Sequence, residues 1–134
     1  METLCARHLL RERTAVMSHA TGREIAYKLI ASGYPGLPVV NKQMELVGMV
    51  TEFDLLKAIK EGTPIDSIAA EKIMSGKPTT AVLDTPANKL IEMMIVNNFS
   101  VIPIMGQTRL LGVVSRHEIM DAYTDPDFHQ LFKD

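Results

Sequence analysis

With 134 residues the chain is long enough for one compact domain, or for two half-domains that share a core, and it has little room for more. Its 46% hydrophobic and 22% charged residues are the balance of an ordinary globular protein rather than a disordered or fibrous one, and a net charge of −2 with a pI near 6.1 gives no overall basic footprint for nucleic acid, leaving only a local patch open. No apolar run approaches the roughly 20 residues that span a bilayer, and the start, with Glu2, Arg7, Arg11 and Glu12, has no signal-peptide core; no membrane association and a cytoplasmic location are expected.

Residues 1–13 place Leu4, Leu9 and Leu10 among charges, which predicts a short helical lead-in. Cys5 is a single cysteine, which excludes an intramolecular disulfide and a zinc framework, and it has no recognisable activator. His8, His19, His117 and His129 are scattered, unpaired with Cys or with each other at i, i+4, so no metal site is expected. Neither a nucleophile with a base partner nor a paired-carboxylate arrangement is visible, and the chain is not expected to be an enzyme.

Residues 14–62 form a first unit. Thr14 to Met17 is a short apolar run of strand type. Thr21 with Glu24 three residues on has the form of a capping box, and Ile25, Ala26, Leu29 and Ile30 follow at helical spacing up to Ser32-Gly33. Leu37-Pro38-Val39-Val40 predicts a strand whose proline belongs at an edge or at the strand's start. The polar stretch Asn41 to Glu45 turns the chain into Leu46-Val47-Gly48-Met49-Val50, giving a hairpin, and a helix runs from Thr51 to about Lys60, closed by Gly62. Residues 63–78 connect; Ile65, Ile68, Ile73 and Met74 predict that this segment packs on the body.

Residues 79–123 then repeat the programme, with residues 124–134 as a tail. Thr79 to Val82 matches Thr14 to Met17, Leu90, Ile91, Met94 and Ile95 match the first helix, and Asn97-Asn98 closes where Ser32-Gly33 did. Leu110-Leu111-Gly112-Val113-Val114-Ser115 restates Leu46 to Thr51, and the second hairpin is one residue shorter. The fold class expected is α/β (α+β): tandem β-α-β-β-α repeats packed about a pseudo-two-fold axis, since neither half has enough apolar surface to stand alone. At each strand–helix junction a hydroxyl (Thr51, Ser115) stands at an N-cap, where first-turn N–H groups and the helix dipole favour an anion. A carboxylate follows three residues on (Asp54, Glu118). The plainer account of the same residues is a helix cap and a first-turn acid.

The repeated pattern, an apolar-x-Pro-Val/Ile strand, a short hairpin and then Leu-(Val/Leu)-Gly-(Met/Val)-Val-(Thr/Ser)-x-x-(Asp/Glu), resembles the CBS (cystathionine-β-synthase) domain pair, or Bateman module, from about residue 7 to about residue 123. The resemblance implies a regulatory module that senses adenosine nucleotides (AMP, ADP, ATP or S-adenosylmethionine) and needs no cofactor for chemistry. It implies two clefts between the repeats. The first combines Thr51 and Asp54 with Thr79, Thr80 and the Ser100-Val101-Ile102 approach to Pro103; the second combines Ser115, Arg116 and Glu118 with Thr14, Ala15 and the Pro35-Gly36-Leu37 approach to Pro38. Asp54 and Glu118 would take the ribose hydroxyls, and Arg116 would meet a phosphate. Glu118 departs from the family's usual Asp, which predicts an altered second cleft. A disc-like homodimer and a regulated partner protein are implied as well, the dimer also from the apolar helix faces of Ile25, Leu29, Leu55, Ile59, Leu90, Met94 and Ile119; the alternative is a dimerisation module that binds no ligand.

Overall fold

The computed structural model describes residues 2–129 and 132–133, with the side chains of Glu2, His129, Phe132 and Lys133 excepted, so the His129 imidazole and parts of the 124–134 tail lie outside the described residues. In chain order the elements are β1 (Glu2–Thr3), α1 (Ala6–Leu9), β2 (Arg11–Glu12), β3 (Val16–Met17), α2 (Gly22–Ser32), β4 (Gly36–Val40), β5 (Leu46–Thr51) and α3 (Glu52–Lys60). A 3-10 turn (Ile65–Ser67) and α4 (Ala70–Ile73) lead to β6 (Ala81–Val82), α5 (Ala87–Asn97), β7 (Val101–Met105), β8 (Leu110–Ser115), α6 (Arg116–Thr124), α7 (Pro126–His129) and β9 (Phe132–Lys133). The β-α-β-β-α order therefore occurs twice, in a mixed α/β chain.

The chain divides into two compact units, one built on each repeat. The first-repeat unit holds Thr14–Pro78 and Thr108–Leu110. Its sheet runs β3-β4-β5, with β3 parallel and β5 antiparallel to β4. Thr21 and Glu24 close the expected capping box, and Gly33 ends α2 in the left-handed region at φ 73°. The hairpin is turned by Asn41, whose Oδ1 accepts from the N–H groups of Gln43 (3.0 Å) and Glu45 (2.9 Å).

The second-repeat unit holds the lead-in up to Arg13, Thr79–Gln107 and the chain from Leu111 onward. Its sheet runs β2-β8-β7-β6, and β1 pairs in parallel with β9. Leu4, Leu90, Ile102, Ile104 and Val114 are fully buried at its centre. Asn98 ends α5 at φ 56°, a left-handed position that Asn tolerates.

Each unit takes its lead-in from the other half of the sequence. Ala6 N–H donates to Thr85 O (2.9 Å) and Ala87 N–H to Leu4 O (2.8 Å); in the other unit Ala70 N–H donates to Ala20 O (2.9 Å) and Gly22 N–H to Ile68 O (3.0 Å). The same lead-in explains the repeated strand glycine. A Cβ on Gly112 would stand 2.2 Å from Arg11 O, and one on Gly48 would stand 2.4 Å from Ser75 O. Both positions need glycine because a neighbouring backbone crosses there.

Three details differ from the sequence reading. Pro38 lies in the central strand of its sheet, and is tolerated because the ladder to β3 begins only at Val39, one residue later; Pro103 stands in the same relation to Ile104 and β6. His8 is paired with Cys5 after all: its Nδ1 accepts the Cys5 N–H (3.1 Å) and lies 3.5 Å from Cys5 Sγ, with Arg7 Nη1 at 3.6 Å, since i and i+3 meet across one helical turn. Of the apolar residues taken to need a partner, Ile25, Leu29, Leu55, Leu90, Met94 and Ile119 are buried within their own units, and Ile59 alone is exposed. Besides Ile59 and Val82 of β6, the exposed large apolar side chains among the described residues stand on the other sides of the same helices: Tyr27, Ile30, Phe53 and Leu56 in one unit, and Ile95, Val96 and Met120 in the other.

Candidate functional site

In the first-repeat unit β5 delivers Thr51 to the head of α3 in an extended conformation. Thr51 Oγ1 accepts the Asp54 N–H (3.2 Å), while Asp54 Oδ2 accepts the Thr51 N–H (2.8 Å). The Glu52 N–H donates to Pro35 O at 2.9 Å, and Gly36 stands opposite Thr51 in the ladder. Thr51, Asp54, Pro35 and Gly36 are thus brought together in one unit. The first and third helical N–H groups, which the sequence reading counted as vacant donors for an anion, are occupied within the chain.

The second-repeat unit builds the same junction from different side chains. Ser115 is only 3% exposed, and its Oγ accepts the His117 N–H (3.1 Å), so the hydroxyl serves the helix rather than the surface. Glu118 Oε1 accepts the Ser115 N–H at 2.7 Å, reaching the same backbone group as Asp54 does in the other repeat despite its extra methylene. Glu118 borders an open groove of about 290 Å³, with Asp121 from the same helix, Asp125 at that helix's C-cap, and His8 and Arg11 from the lead-in. Arg116 N–H donates to Ser100 O (3.1 Å), and its guanidinium is fixed by Phe99 O (Nε, 2.9 Å) and Asn98 Oδ1 (Nη2, 3.2 Å). Ser115, Arg116, Glu118 and Ser100 are therefore neighbours.

The remaining residues divide between the units. Thr79 and Thr80 are exposed and directly precede β6; Val101 and Ile102 are buried in β7, and Ile102 belongs to the core, so these two offer backbone rather than side chain. Leu37 and Ala15 are buried in the first-repeat unit beside the half-buried Thr14. Lys28, which the sequence reading passed over, donates from Nζ to Ala15 O at 2.8 Å. Its signal was available by aligning the repeats, because Met93 stands in the equivalent position of α5.

Ion pairs tie each lead-in to its repeat, Arg7 with Asp84 and Arg23 with Asp66 (2.9 and 3.1 Å), and within α5 Lys89 Nζ lies 3.9 Å from Glu92 Oε1. The Arg23 guanidinium holds the Asp66 carboxyl below its ordinary pKa. Among the described residues no helix is long and apolar enough to cross a membrane.

The CBS domain family matches residues 7–61 and 70–125. An uncharacterized protein of Methanopyrus kandleri is 31% identical over 104 residues, covering 76% of this chain and 53% of that protein. A homoserine O-acetyltransferase of Methanococcus vannielii is 26% identical over 112 residues, 83% of this chain but 23% of the enzyme. The chain thus spans about half or less of the length of these curated relatives, and the acetyltransferase name rests on a much longer protein. Among solved structures, the CBS domain pair of MJ0100 in complex with 5′-methylthioadenosine and S-adenosyl-L-methionine superposes with a TM-score of 0.76 at 24% identity, covering 91% of this chain and 97% of that one. CBSX2 in complex with AMP gives 0.75 at 19% identity, covering 90% and 96%. The two β-α-β-β-α repeats, each with its hydroxyl-capped junction, fall on the two matched segments, and the chain belongs to the CBS-domain family as a tandem pair.

Proposed function

We propose that this chain is a regulatory module that senses adenosine ligands in two clefts, one drawing on Thr51 and Asp54 with Thr79, Thr80 and Ser100 to Ile102, the other on Ser115, Arg116 and Glu118 with Thr14, Ala15 and Pro35 to Leu37. The observation that carries the reading is the junction built twice, each time with a carboxylate held at a fixed place one turn into a helix. Such a carboxylate keeps acceptor capacity beyond its cap bond and suits the paired hydroxyls of a ribose. CBS pairs solved with AMP, and with methylthioadenosine and S-adenosylmethionine, support the ligand class. The module acts without chemistry of its own, on a partner protein, and as a homodimer.

A second reading has one observation in its favour. The capping boxes at Thr51–Asp54 and Ser115–Glu118 account for all four side chains as helix caps, which is what a dimerisation module without ligand would need. Thermal unfolding with AMP, ADP, ATP, S-adenosylmethionine and methylthioadenosine separates the two, because a ligand that binds only the native state at about a hundred times its Kd stabilises by about 2.7 kcal/mol. Ligand binding predicts a higher Tm with at least one of these, and a loss of affinity of about tenfold or more in Asp54→Ala as a charge-assisted contact disappears. An unmoved Tm across the whole panel would return the chain to the structural reading.

A further inference from the structure

We draw no further inference here: the strongest candidate, the open groove between the lead-in and α6 in the second-repeat unit, is bordered by Glu118 and so belongs to the site already described.

Discussion

Gly48 and Gly112 show how a single atom's absence sets the architecture. Each lies inside a strand, where glycine is entropically costly and has no side chain to pack, yet each stands where a lead-in carbonyl passes too close for any Cβ. Gly112→Ala would have to push back the Arg11 backbone, and the expected cost is about 1 to 3 kcal/mol or more, the range of overpacked interiors. Gly76→Ala is the matched control, because nothing lies within 4 Å of its added methyl. Urea midpoints should fall for Gly112→Ala and Gly48→Ala and stay level or rise for Gly76→Ala. Equal midpoints for Gly112→Ala and wild type would mean that the lead-in does not hold β8 as described.

At the scale of elements, what could be read from residues was whatever is local. Both hairpins, the Thr21–Glu24 box and the ends of α2 and α5 follow from spacing and from glycine and asparagine chemistry, and all were legible. The one-residue difference between hairpins appears as a five-residue and a four-residue connection. The crossed lead-ins were not legible, because Leu4 and Ile68 show only that their segments pack, not on what. Lys28 and Arg116 illustrate the same limit: their partners, Ala15 O and Phe99 O, are backbone atoms 13 and 17 residues away. The Arg23–Asp66 pair tests the crossing electrostatically. Asp66 has its pKa lowered in the folded state, so its contribution is present above the unfolded value of about 3.9 and is lost as pH falls through the folded one. Both side chains are exposed, so the effect is small and salt-sensitive. Asp66→Asn should lower Tm slightly at neutral pH, and the deficit should shrink as pH falls below about 3.9; a deficit that does not shrink in acid would assign the loss to something other than the ion pair.

For the whole molecule the exposed apolar side chains are where the proposed dimer would form, and the two repeats are not equal in this respect. On the first-repeat unit Tyr27 and Ile30 of α2 and Phe53 and Leu56 of α3 are 64%, 78%, 82% and 57% exposed. On the second-repeat unit Ile95 and Met120 stand where Ile30 and Leu56 do, but Glu92 and His117 replace Tyr27 and Phe53. Large exposed apolar side chains on two helices that pack together are costly to leave in water, and in a homodimer a self-complementary patch is the simplest cover. The proposed dimer should therefore depend more on the first repeat than on the second. Phe53→Asp places an acid in the first turn of α3, where the helix dipole tolerates it, so the fold should survive while an aromatic anchor worth about 1.5 to 3 kcal/mol per protomer on burial is lost. Light scattering at tens of micromolar should give a dimer for wild type and for His117→Asp, and a monomer for Phe53→Asp. A monomeric wild type would remove the dimer altogether, and dissociation by His117→Asp alone would move the interface to the second repeat.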